Sequence, residues 1–394
     1  MFMKISIQNH SDAGTVILDA PLIDQLTRGN IIDAPITLLR EDPAIWILPT
    51  AMQQNGKIYL SHTLVKGHFD DLSDAEYCIV NEHDLFIVPD HLKNNGRHWI
   101  TNLLHTDEGV IAFLHSEYTG EGDFFGMQGI MFDERETRAP GRSAIGLAWL
   151  PKDRYDAEIY QFDYLGHIAT YCSDVPHFNV SGTPMYVNTD EGVEYINILF
   201  SDVHATQNDK GWWKDKVMVA HARASLKDVV ADAKKGKVSN WLKRNGDAWG
   251  DALGKEATGV LPPAKGYADH RIANGEIIVH SDIATIKPDG SYILIGYVLN
   301  MRTLHPSCLV IYSSKDGLNW TFEKTSNERS DGSWSYVKIL NKGRRDKKGS
   351  YYAIIGYDYG KESRKVYRLE IDIDKPKALV KKKTKTKKKP QSAS

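Results

Sequence analysis

Five times along this chain a tight turn is followed by an apolar strand that carries aromatic residues. The segments are NGKIYLSH (55–62), EGVIAFLHSE (108–117), EGVEYINILFS (191–201), DGSYILIGY (289–297) and KGSYYAIIGYD (348–358). An acid, Asn or Lys before Gly suits a hairpin turn, where φ is often positive. An apolar strand precedes each turn: AIWILPT, WITNLLHT, GTPMYVN, SDIATIK and YVKILNK. In most units another strand follows, as in AEYCIVN, AIGLAWL and CLVIYSS. Each unit can therefore supply a four-stranded antiparallel sheet, with its first apolar strand innermost. The turn glycines 56, 109, 192, 290 and 349 lie 53, 83, 98 and 59 residues apart, so the longer units carry insertions. Radial repetition of five such sheets predicts an all-β fold, a five-bladed β-propeller over residues 1–374. Strands near 3–7 and 14–18 would complete the last blade and close the ring. The competing arrangement is a β-sandwich with similar hairpins.

One short helical insertion is expected at SLKDVVADAKKG (225–236), where Ser225 can cap and Gly236 can end the helix. The net charge of −2 averages two unlike regions. Residues 375–389 hold nine lysines and no acid, which leaves −11 on the rest. Nine like charges without an apolar face predict a disordered basic tail over 375–394. Such a tail suits a polyanion or nucleic-acid partner, or serves solubility or targeting. Three distant cysteines without CxxC spacing argue against a zinc ribbon and a disulfide framework. No apolar run is long enough to span a membrane, and the first residues do not read as a secretory signal. The compartment stays unassigned. No P-loop, nucleotide-binding GxGxxG or GxSxG occurs, which removes support for nucleotide-dependent and α/β-hydrolase chemistry.

Several segments resemble known propeller sequences. GRSAIGLAWLPKD (141–153) looks like the blade-closing strand of five-bladed glycosidases, and CLVIYSSKDGLNWTF (308–322) like their Ser-Lys-Asp-Gly turn segment. GTPMYV (182–187), VAHARASLKDV (219–229) and NWLKRNGDAWGDALGKEATGVLPP (240–263) resemble their third blade. The resemblance spans about residues 38–372 and is to propellers of the furanosidase, arabinanase and anhydro-galactosidase type. It implies a glycoside hydrolase acting on a polysaccharide or oligosaccharide at the channel mouth.

Residues at or near the starts of the innermost strands are then the site candidates. Glycoside hydrolysis needs two carboxyl groups flanking the scissile bond. The resemblance makes Asp42, in the first-blade Asp-Pro, the base or nucleophile. Asp282 would orient substrate or tune a partner, and Glu117 would be the acid, with His280 as the other choice for it. His98, His115, Arg142, Thr183, Arg271 and Trp334 are candidate substrate-binding residues. Arg142 suits an acidic sugar, and exposed indoles suit the C–H faces of sugar rings. Ser335 and Asn179 join these on the same grounds, and Trp212, Trp213, Trp241 and Trp249 are read as loop residues. Read without the resemblance, Asp42-Pro43 is a turn, and each histidine is a structural one. Blades two and three lack the acids that the family carries there. No cofactor is expected beyond a structural Ca²⁺ or Na⁺ ion in the channel. Two other functions stay open: a non-catalytic glycan-binding or structural propeller, such as a surface or virion component, and a polysaccharide lyase.

Overall fold

The computed structural model describes residues 4–7, 15–18, 31–32, 34–54, 57–68, 71–81, 85–92, 97–118, 142–169, 177–208, 211–253, 257–262, 276–286, 290–300, 305–325, 335–340, 351–357 and 365–374. They are mostly β, in a propeller arrangement. The lysine-rich segment 375–394 lies outside the described residues.

The described strands form four sheets. The first runs Thr37–Glu41, Ala44–Gln54, Lys57–His68, Asp71–Asn81, and Ile31–Ile32 also pairs with Ala44–Gln54. The second has eleven strands and contains two antiparallel fans. One fan is Arg97–Thr106, Gly109–Tyr118, Arg142–Pro151, Phe162–Ala169. The other is Met185–Asp190, Val193–Asn208, Gly211–Ser225, Leu242–Asn245, Ala248–Asp251. The third sheet is Glu276–Ile286, Ser291–Asn300, His305–Ser314, Trp320–Thr325. The last is Ser335–Ile339, Tyr351–Tyr357, Lys365–Asp374. Lys4–Ile7 and Thr15–Leu18 both pair with Lys365–Asp374, as expected of ring-closing strands. Thr15–Leu18 also touches Asp71–Asn81, so the last sheet meets the first.

Three expectations are corrected. Five separate four-stranded sheets were expected, but His177–Ser181 pairs antiparallel with Val193–Asn208 and meets Arg142–Pro151 through Ser143 and Asn179, which fuses two fans into one sheet. Two helices are described instead of one: α1 (Lys152–Asp156) and α2 (Leu226–Ala233). In the first sheet, AIWILPT is not innermost, because Thr37–Glu41 covers it on the channel side. Ala44 to Leu48 are buried without alternation, as a strand enclosed on both faces must be.

The turns follow their glycines. Glu191 and Gly192 have φ of +49° and +81°, the two positive values of a type I′ hairpin between Asp190 and Val193. Gly109 serves another purpose. A Cβ there would sit 2.4 Å from Leu150 O and 2.8 Å from the Trp149 ring. Its neighbours Asp107 and Glu108 form the turn, and Gly109 is glycine because the next strand packs against it. Gly56 and Gly349 lie outside the described residues.

Apolar side chains pack between adjacent sheets. Phe113 and Trp149 meet Ile198, Phe200 and Trp241 between the two fans, with the Phe113 and Trp241 rings edge-on at 6.0 Å. Helix α2 adds Val229 and Ala233 to this core. Ser225 Oγ accepts from Asp228 N at 3.3 Å, and Gly236 follows with φ of +70°, which matches the expected cap and stop.

Candidate functional site

Three of the strands facing the centre of the ring carry a β-bulge where a polar residue is needed. Pairing of Arg97–Thr106 with Gly109–Tyr118 slips between Phe113 and Leu114, at the level of Thr101 and Asn102. Glu276–Ile286 slips between His280 and Asp282. Ser335–Ile339 slips between Ser335 and Lys338, where Tyr336 has φ of +52°. A bulge adds one residue to one strand and re-aims the side chains beyond it. Here each shift accompanies a polar group turned into a buried centre: Asn102 is 1% exposed, Asp282 0% and Lys338 7%.

These groups form one network. Lys338 Nζ donates to Asn102 Oδ1 and lies 3.5 Å from Asp282 Oδ2. Asp282 Oδ2 accepts Ile339 N–H at 2.9 Å, and Asp282 Oδ1 accepts Ile283 N–H at 3.0 Å. Asn102 Nδ2 donates to Thr183 O at 2.7 Å and approaches Asp282 Oδ1 at 3.5 Å. Thr183 and Thr101 hydroxyls share a hydrogen bond of 2.7 Å. The cluster thus ties both fans, the third sheet and the last sheet together. A buried charge is tolerated when paired and hydrogen-bonded. The ammonium of Lys338 balances the carboxylate of Asp282. Asp282 is therefore an anchor whose lone pairs are occupied, not a carboxylate poised to attack carbon. Among the described residues, no group of three or more His, Cys, Asp or Glu side chains is arranged to hold a metal ion.

The ring has two rims, and they differ. Thr37–Glu41 runs alongside Arg97–Thr106 in the same direction. Ala34 packs on Trp99 near the start of the latter, while His105 near its end lies beside the Leu38 backbone. Arg40 pairs with Glu158 at 2.9 Å, and Tyr155 OH reaches Leu39 O at 3.5 Å. Those partners lie beside the Asp107–Glu108 turn, where Lys152 N donates to Glu108 O at 3.0 Å. Asp42 sits exposed in the turn after Glu41, so it belongs to this second rim. The structure does not bring Asp42 to Asp282. The reason is the extra inner strand, which turns the Asp-Pro from a strand entrance into a hairpin.

The other expected residues divide between the first rim and the buried interior. Glu117 stands opposite Arg97 and Ser143, at the rim where the strand Arg97–Thr106 begins. Arg142 opens its strand opposite Tyr118, and His280 stands opposite Gly296. His98 is buried below this rim, with Nδ1 2.9 Å from Ser116 Oγ and its ring stacked on Tyr164 at 4.1 Å. Burial, then the nearby His167 and His62 rings, holds His98 well below the usual imidazole range. His62 accepts Ile100 N–H at 3.4 Å, and burial lowers it to about 3. His115 is half-buried, tilted on Trp99 at 5.4 Å. Arg271 and Trp334 lie outside the described residues. Trp241 is buried in the core, and the Arg223 guanidinium lies 4.1 Å from the Trp249 ring, so both pin structure instead of facing a ligand.

Sequence reading missed Asn102, Lys338 and the fully buried Asp202, which sits within the second strand of its fan. The first two had one signal, an amide or an ammonium inside the otherwise strand-like WITNLL and YVKIL.

No protein-family model matches the chain, and no curated protein does. Solved structures with similar backbones include an α-L-arabinofuranosidase from Podospora anserina in complex with cellotriose, with a TM-score of 0.47 and 9% identity over 92% of this chain and 96% of that one. An α-L-arabinanase from Cellvibrio cellulosa complexed with arabinohexaose gives 0.45 and 11%, over 88% and 96%. An endo-arabinase from Bacteroides thetaiotaomicron gives 0.44 and 12%, over 92% and 99%. TM-scores under 0.5 make these likenesses of backbone only, and a backbone does not specify a reaction.

Proposed function

We propose that this protein is a propeller of glycoside-hydrolase type that acts on a polysaccharide or oligosaccharide at the first rim. The observation that carries this reading is the convergence of polar side chains from several sheets on one buried centre, beneath a rim that bears Glu117. The eleven-stranded sheet is then two blades, which makes five, with residues 1–374 as the propeller and 375–394 as a polyanion-binding tail. The acid that precedes the first inner strand in the chain is Asp33, next to Ala34, which packs on Trp99. Asp33 itself lies outside the described residues. We assign it the base or nucleophile role and Glu117 the proton donor, with Asp282 holding the floor. A pair of carboxyl groups is what glycoside hydrolysis needs.

A second reading has its own observation. Asp282 is neutralised by Lys338, and Asp42 lies on the wrong rim, which favours a non-catalytic glycan-binding propeller. Incubation of the full-length protein with a panel of plant and algal polysaccharides separates the readings. New reducing ends without ultraviolet-absorbing products are expected. Unsaturated products would instead identify a lyase. Binding without any new reducing ends would identify the non-catalytic protein.

A further inference from the structure

On the second rim, between the fan that begins with Met185–Asp190 and the third sheet, lies a cleft of about 500 Å³. That volume is in the range of small-ligand sites. Tyr292 lines it and is 8% exposed. Its ring packs on Tyr186 at 4.6 Å. Burial, then the nearby Asp316, raises its pKa, so it stays a neutral donor at physiological pH.

The wall is braced from below. Tyr186 OH donates to Gly317 O at 2.9 Å, and a Cβ at Gly317 would lie 2.5 Å from the Tyr186 ring. His221 Nε2 lies 2.9 Å from Asn197 Oδ1, and Asn197 Nδ2 donates to Asn188 Oδ1 at 2.7 Å. That bond fixes the Asn188 amide and leaves its NH₂ group for the cleft that Asn188 lines. Arg223 donates to Asp190 Oδ2 at 2.8 Å and lies 4.2 Å and 4.1 Å from the Tyr195 and Trp249 rings. Asp316 is committed to its own turn, accepting from Leu318 N and Asn319 N, each at 2.8 Å. Glu194 stays exposed on the wall.

We infer that this cleft is a second binding site, for a neutral saccharide unit, on the rim opposite the proposed catalytic mouth. The lining carries three carboxylates, of Asp190, Glu194 and Asp316, against one cation, Lys315, so an anionic ligand is disfavoured. Donors (Tyr292 OH, the Asn188 amide, Lys315) alternate with acceptors (Glu194, Asp190). Sugar hydroxyls both donate and accept, which matches such a wall. Apolar lining is limited to Val187, Leu318 and the Tyr292 ring, too little for a lipid or an aromatic drug-like ligand.

The test is isothermal titration calorimetry of the full-length protein with cellobiose, xylobiose, arabinobiose and lactose, beside glucuronic acid and glucosamine. At least one neutral disaccharide should bind, and Tyr292→Phe should weaken it about tenfold, the effect of one lost hydrogen bond. Glu194→Gln, on the exposed wall, should weaken it as well while leaving the fold untouched. The inference fails if no neutral disaccharide binds at millimolar concentration. It also fails if binding ignores both substitutions, which would place the sugar at the mouth, or if glucuronic acid or glucosamine is preferred.

Discussion

Replacing Lys338 with methionine is expected to lower the unfolding free energy by about 3–5 kcal/mol, the usual cost of removing one partner from a buried ion pair. Asp282 would keep two backbone donors but lose the ammonium that balances it. Asn102 Oδ1 would lose its donor too. The loss is large against a total stability of about 5–15 kcal/mol. A midpoint shift in urea with unchanged slope would report it. The double variant Lys338→Met with Asp282→Asn should be less destabilised than Lys338→Met alone, because it buries no unpaired charge. A loss below about 1 kcal/mol in the single variant would show that the axial cluster is solvated and does not hold the sheets together.

Acid should unfold this protein early. Three buried histidines are held neutral by burial: His62 and His221, each lowered to about 3, and His98, also well below the ordinary value. In the unfolded chain each regains a pKa of about 6.5. Below that pH the unfolded state binds more protons than the folded state, so stability falls as pH falls. The loss is about 1.4 kcal/mol per pH unit for each histidine, from pH 6.5 down towards the folded values. Between pH 6.5 and 5 the three together remove about 6 kcal/mol at most. Their contribution levels off only above about pH 7.5, where the unfolded rings are neutral too. Urea midpoints measured from pH 7.5 to 5 should therefore be flat and then fall steeply, and His62→Gln should reduce the slope by about one proton. A flat profile to pH 5 would contradict the assignment of neutral buried rings.

The fold and the site were legible in the chain to different degrees. Gly192 and Gly290 mark turns because only positive φ fits there, at +81° and +72°. The helix after Ser225, the ring-closing strands and the placement of Asp282 and Thr183 on inward-facing segments were equally readable. Bulges were not. A one-residue slip reverses which side chains face inward, and no composition signal marks it. Asn102 and Lys338 therefore looked like stray polar residues in apolar strands. The first inner strand was hidden for another reason. AIWILPT is buried on both faces and reads as the stronger strand, whereas TLLRE, with its alternating burial, looks like a lead-in. That misreading put Asp42 at a strand entrance, whereas it lies in the turn between Glu41 and Ala44.

The choice of rim is the central claim, and the two acids flanking the first inner strand test it. On whichever polysaccharide the full-length protein cleaves, Asp33→Asn should lower turnover by about 10²–10⁴-fold, as expected for a positioned catalytic group. Asp42→Asn should leave turnover unchanged, because its side chain is an exposed turn residue. Loss of turnover in Asp42→Asn, with Asp33→Asn fully active, would place the chemistry on the second rim and contradict the account.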